Sequence, residues 1–178
     1  MKSKKINNLQ NATDILNLYE ASFPKEERSD FFKLLSGIYE GFELHGIYED
    51  DKLIAFVHFN NTPNFIHINY FAVKESFQNQ GYGSQILTWL KNKFPQKAIV
   101  LDVEVVEENA KNNLQRSKRI SFYKHNNFKF SNYTFKWAGS LMTPMYFGEL
   151  NQSLFIKYIQ KITPTICDVR FSEITKNN

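Results

Sequence analysis

The segment "YFAVKESFQNQGYGSQIL", residues 70–87, decides how this chain is read. It opens as a strand through Phe71, Ala72 and Val73. It closes as a helix, in which Ile86, Leu87, Leu90 and Phe94 recur at helical spacing until Pro95 stops the pattern. Between the two stand Gly81 and Gly83, one residue apart. Missing side chains let the backbone bend tightly and bring its N–H groups close to an anion. The helix that starts there adds its dipole and its unpaired N–H groups to the same spot. A Walker loop requires Lys and then Ser or Thr after the last glycine, whereas Ser84 and Gln85 follow here. A dinucleotide fingerprint requires a third glycine, and Ile86 holds that place. What remains is Gln/Arg-x-x-Gly-x-Gly/Ala at a strand-to-helix junction, whose natural guest is a pyrophosphate. A turn whose glycines serve backbone geometry alone is the competing reading.

Outward from this junction the chain alternates between helical and strand-like patterns. "NATDILNLYEASF" places Ile15, Leu16, Leu18, Tyr19 and Phe23 on one stripe, and Pro24 ends it. A short helix over "SDFFKLLSGIYE" takes Ser29 or Asp30 as its cap. "FELHGIYED" and "KLIAFVHFN" read as a hairpin turning at Asp50-Asp51, and "FIHINYFAV" is the next strand. In "AIVLDVEVV", Ile99, Leu101, Val103 and Val105 face one way, with Asp102 and Glu104 on the other side. "LQRSKRISFYKHNNF" is helical, and Asn127 suits a left-handed C-cap. "KFSNYTFKWAG" and "TPMYFGEL" form a closing antiparallel pair. The last helix carries Leu154, Phe155, Tyr158, Ile159 and Ile162, before Pro164 and an irregular tail.

Composition narrows the function classes. With 178 residues, 42% hydrophobic and 22% charged, the chain is one domain or one domain with a short extension. No apolar run approaches the roughly 20 residues of a membrane span. The basic start "MKSKKINNLQ" has no apolar region behind it and is not a signal peptide. A single cysteine, Cys167, rules out an internal disulfide and points to a reducing cytosol. The 17 phenylalanines, with abundant Asn, Lys and Ile, suggest a low-GC bacterium. The net charge of +4 is spread along the chain, as on a solvated surface rather than a nucleic-acid footprint.

Residues 70–87 resemble the acetyl-CoA-binding segment of the GNAT N-acetyltransferases. Gln78, Gly81 and Gly83 match every defined position of that motif. Further on, "RISFYKHNNF" (residues 119–128) is similar to the family's later signature, with Tyr123 on its tyrosine and Phe128 on its phenylalanine. Two departures stand out. Asn127 replaces a glycine, which the left-handed tolerance of Asn accommodates. Arg116 stands where many members carry a cofactor-touching asparagine, so that contact is not carried over. By element order the resemblance runs from residue 6 to 148. It implies an α+β fold, with a mixed, mostly antiparallel central sheet of about six or seven strands flanked by helices. A GNAT domain over residues 1–150 would carry a helix-containing extension, residues 151–178, packed on the same domain.

The resemblance further implies acetyl transfer from acetyl-CoA to a primary amine by direct attack in a ternary complex. The co-substrate would lie on Phe71, Val73, Gln78, Asn79, Gln80, Gly81, Tyr82, Gly83 and Ser84, with the main chain of Phe71 and Val73 facing the thioester oxygen. A lysine-like amine costs about 4.6 kcal/mol to neutralise at pH 7, so a base is needed. Glu104 is the candidate. Asp102 shares its face, and His67 projects from the cofactor strand. Surface carboxylates and a packing histidine are the bland alternatives. Tyr123 would protonate the leaving thiolate, or else be a core aromatic beside Phe122. Glu26, Glu27 and Asp30 would suit a small cationic amine, although helix capping explains acids there as well. The four histidines and Cys167 show no metal-ligand spacing, so no metal is expected. No nucleic-acid or membrane partner is expected, and the chain would be a cytoplasmic monomer or homodimer. A non-catalytic acyl-CoA sensor on the same fold is the competing function.

Overall fold

Two adjacent aspartates turn the chain between its first long strands. Asp50 and Asp51 hold positive φ values of 46° and 59°, as in the two-residue turns whose twist matches that of paired strands. Strand β2 (Phe42–Glu49) accordingly runs antiparallel to β3 (Lys52–Asn61), in the expected hairpin. This geometry is that of a computed structural model, which describes all residues except 9, 11, 37–40, 108, 109, 111, 138, 163–171 and 174–178. The chain forms two compact units, Met1–Pro95 and Gln96–Asn178.

In the first unit, β1 (Lys2–Lys5) pairs with β2, and β4 (Phe65–Val73) pairs with β3, all antiparallel. Helices cover both faces. Ile15, Leu18 and Tyr19 of α1 (Thr13–Ser22) join Phe31 and Leu35 of α2 (Phe31–Ser36) over Leu44, Phe56 and Ala72. On the opposite face Ile86 of α3 (Tyr82–Lys93) packs with Ile47, Ile54 and Ala55. Phe56 and Ala55 are neighbours on β3, so strand alternation assigns the two clusters to opposite faces. Of the helix read over residues 29–40, α2 accounts for Phe31–Ser36. Asp30 Oδ1 accepts the Phe32 N–H at 2.9 Å and caps α2, while residues 37–40 lie outside the described set.

Two irregularities break the alternation. Ile47 faces Ala55 and Tyr48 faces Leu53, which leaves Ile54 as an extra residue in β3. His58 faces Tyr70 and Phe59 faces Ile68, which leaves Asn69 as an extra residue in β4. Each is a β-bulge. The first explains why Ile54 and Ala55, adjacent in sequence, both pack toward α3.

The second unit is built around β8 (Ser140–Phe147), which pairs antiparallel with β5 (Ala98–Glu104), β6 (Lys129–Phe130) and β7 (Tyr133–Trp137). A two-residue β9 (Ser172–Glu173) pairs with β7. Ile99, Val100 and Leu101 of β5 are all buried, so the first half of that strand is covered on both faces rather than on one. Helix α4 (Asn113–His125) ends as expected of Asn127, whose φ is 63°. The Phe128 N–H then reaches back to Tyr123 O at 3.0 Å, closing the last turn. Helix α5 (Gln152–Ile162) buries Phe155 and Ile159 but leaves Leu154 exposed. Pro164 and Cys167 lie outside the described residues. The fold is α+β with mostly antiparallel strands and helices packed on them, the class read from the sequence. Among the described residues, no helix is long and apolar enough to cross a membrane.

Candidate active site

The glycine turn joins β4 to α3 through a short 3-10 segment, Glu75–Phe77. Asn79 and Gly81 are both left-handed, with φ of 59° and 84°. Left-handed residues set between right-handed or extended ones turn successive N–H groups toward one side, which makes a concavity for an anion. A Cβ built on Gly81 would meet nothing nearer than Gln85 Nε2 at 3.9 Å, so this side of the turn is open. Gly81 is also the N-cap of α3, and no side chain caps that helix. Its first-turn N–H groups, at Tyr82, Gly83 and Ser84, therefore point where an anion would gain most. Two side chains expected at the cofactor brace the loop instead. Gln78 Nε2 donates to Val73 O at 2.9 Å, and Gln80 Nε2 donates to Ser76 O at 2.8 Å. The geometry thus fits a pyrophosphate held by main chain.

Strand β4 orients its own N–H groups by the same alternation. Lys74 N–H donates to Ile54 O of β3 at 2.8 Å. Residues of opposite parity, Phe71 and Val73, then direct their N–H groups away from β3. Their side chains pack toward α3 beside Ile54 and Ala55.

The acidic loop between α1 and α2 lies against the α1–α2 face of β4. Glu26 and Glu27 form a 3-10 turn (Lys25–Glu27) with exposed side chains, and Asp30 is the cap of α2. The loop is tied to Tyr70, which the sequence reading left as one more strand aromatic. Tyr70 OH donates to Glu27 O at 3.0 Å and meets Ser29 N and Oγ at 3.1 and 3.0 Å. Nothing in the local pattern signals a contact across some forty residues.

Beside Tyr70 lies a buried polar group of which sequence reading singled out only His67. His58, Asn60 and His67 are all buried, and alternation places them on one face of β3 and β4. Asn69 Nδ2 lies 3.4 Å from His58 Nδ1, and among the described residues no group reaches His58 Nε2. Burial lowers the His58 pKa from 6.5 to about 4, and the neighbouring His67 adds to the shift. The folded protein therefore holds this imidazole neutral, while the unfolded chain binds its proton below pH 6.5. The stability it contributes is fully present above pH 6.5 and is lost as pH falls toward 4. Between pH 7.5 and pH 5 the loss is about 2 kcal/mol. His58→Leu is expected to flatten the pH dependence of denaturant-unfolding stability by that amount. Equal slopes for variant and wild type would contradict the assignment.

In the second unit, Glu104 at the end of β5 is engaged from both sides. Arg116 Nη2 meets one carboxylate oxygen at 2.7 Å, and Arg119 Nη2 meets the other. Arg116 also donates from Nη1 to Val105 O at 2.7 Å and from Nε to Asn112 Oδ1 at 2.8 Å. The arginine that departs from the family pattern is thus a clamp fastening α4 to β5, and Glu104 is its anchor. Asp102 lies two residues back on the same strand. Tyr123, one turn after Arg119 on α4, packs against Phe122 and Phe128 with ring centroids 5.1 and 5.7 Å apart. Burial pushes its phenol up to about 12, against a lowering pull from Arg119. The hydroxyl is therefore protonated throughout the neutral range. Among the described residues, no three His, Cys, Asp or Glu side chains gather as metal donors.

Comparison with known proteins agrees with this geometry. The model of the acetyltransferase (GNAT) family matches residues 12–128. No curated protein matches the chain. A solved structure from Bacteroides thetaiotaomicron, assigned to the GNAT family, is 26% identical with a TM-score of 0.73, over 91% of this chain and 95% of that one. An aminoglycoside 6'-N-acetyltransferase complexed with coenzyme A shares the fold at 13% identity and a TM-score of 0.65, over 85% of this chain and 100% of that one. A GNAT acetyltransferase of Elizabethkingia anophelis with acetyl-CoA bound shares it at 16% identity and 0.59, over 83% and 97% of the two chains. With two thirds of its length matched by the family model, and with the glycine turn and Tyr123 both inside that match, the chain belongs to the GNAT acetyltransferase family.

Proposed function

We propose that this protein transfers an acetyl group from acetyl-CoA to a primary amine of a small molecule, by direct attack within a ternary complex. The carrying observation is the open, left-handed turn at Asn79 and Gly81, set on an uncapped helix N-terminus. It suits the pyrophosphate of coenzyme A through the main chain of residues 78–84.

In this reading the amine nitrogen attacks the thioester carbon, a C–N bond forms, and the carbonyl oxygen gathers negative charge. The N–H groups of Phe71 and Val73 stabilise that charge. The C–S bond then breaks, and Tyr123 hands its proton to the departing sulfur. Removing the amine's own proton falls to His67, directly or through water. Glu104 was the first candidate for that step, but two guanidiniums already occupy its carboxylate. Its role in this proposal is to hold α4, and with it Tyr123, on β5. Glu26, Glu27 and Asp30 line the approach of a cationic amine, as in a bacterial cytoplasmic enzyme acting as monomer or homodimer.

A thiol-release assay with acetyl-CoA across a broad panel of small amines tests the proposal. The expected result is release that depends on both acetyl-CoA and one or more amines. Acetyl-CoA binding without release from any amine would replace it with a binding module.

A further inference from the structure

The hydroxyl of Tyr70 joins β4 to the α1–α2 loop, and its bonding capacity there is filled. A phenol has one proton to donate and two lone pairs to accept with. Tyr70 donates to Glu27 O and accepts from Ser29 N–H and the Ser29 hydroxyl, all within 3.0–3.1 Å. Tyr19 OH adds a bond to Ser29 O at 3.1 Å. The rings of Tyr19 and Phe23 stand edge-on to Tyr70, with centroids 4.9 and 5.1 Å away. Tyr70 can therefore neither slide nor rotate without breaking contacts to the loop.

Tyr70 also immediately precedes Phe71, whose N–H is directed away from β3. It immediately follows the bulged Asn69. One residue thus belongs to the strand proposed to hold the acetyl carbonyl and, through its tip, to the loop proposed to receive the amine. We infer that Tyr70 is a positioning residue that fixes the acceptor loop, residues 24–30, relative to the reacting carbonyl. It touches neither the amine nor acetyl-CoA. It sets the distance between them by holding main chain, and the inference rests on the acetyl-transfer reading above.

The test is Tyr70→Phe, which keeps the ring and its edge contacts and removes only the hydroxyl. Amine KM is expected to rise about tenfold, with acetyl-CoA affinity within twofold of wild type. The loop offers its own reporter, because Lys25 and Arg28 are trypsin sites within it. Cleavage after these residues in the folded variant is expected to quicken about tenfold. Ser29→Ala removes one of the bonds and is expected to shift both readouts the same way by less. Unchanged cleavage would show that Tyr70 does not hold the loop and would overturn the inference. Faster cleavage with an unchanged amine KM would also overturn it, because the loop would then lie outside the acceptor site. A wild type with no turnover at all would instead bring down the functional reading, and it is told apart by having no amine KM to compare.

Discussion

Gly83→Val is expected to lower acetyl-CoA affinity by at least about 100-fold, or about 2.7 kcal/mol, in a protein that still folds. Gly83 is the second residue of α3, in the turn whose N–H groups have no side-chain cap. Valine is a better helix residue than glycine, by a few tenths of a kcal/mol, so the substitution does not harm the helix itself. What changes is access. The valine methyls would stand on a helix end at which an anion gains only by reaching the main chain. Equilibrium binding of acetyl-CoA, with circular dichroism to show that the fold is kept, decides the matter. Wild-type affinity in a folded variant would remove the pyrophosphate from this turn.

Tyr123→Phe is expected to reduce turnover by about 100-fold, with acetyl-CoA affinity unchanged. The variant keeps the ring and its packing on Phe122 and Phe128. Only a contact that strengthens as the C–S bond breaks is lost, so kcat should fall and binding should not. General-acid groups contribute about 10²–10⁴-fold. A donor held near 12 transfers its proton uphill to a thiolate whose own pKa is about 8.5, so much of its help is hydrogen bonding and the low end applies. The measurement is kcat at saturating amine alongside acetyl-CoA affinity. A decrease of less than about threefold would take Tyr123 off the catalytic list, and lost affinity with intact turnover would make it a binding residue.

Both of these residues were legible in the sequence for the same reason: each sits in a motif whose spacing is local. The glycine turn is read from residues 78–83, and the Tyr123 signature from one helix and its C-cap. The β2–β3 hairpin was legible because adjacent aspartates tolerate the left-handed region that its turn demands. What was missed depends on partners far along the chain. Strand β1 was hidden because Lys2, Lys4 and Lys5 show no hydrophobic alternation, as suits a strand paired on one side only by β2. Glu104 looked like a base because its strand gives no hint of Arg116 and Arg119 on the following helix. Tyr70 looked like core because alternation reports which face a ring occupies, not what its hydroxyl reaches.

Asn69 gives β4 a change of phase. Upstream of it, Ile68 shares a face with Phe59, while His67 shares the other with His58. Downstream, Tyr70 stands with His58, although it lies an odd number of residues from His67. Exchange of Asn69 for another amino acid would disturb only the contacts of its side-chain amide with His58 Nδ1 and His67 O. Its deletion would make Ile68 and Tyr70 neighbours, opposite the consecutive residues Phe59 and His58 that they already face, so every side chain would keep its side of the sheet and only the bend and added twist of the bulge would be lost. At this position the chain is therefore permissive in spelling, and its one extra residue sets curvature rather than facing.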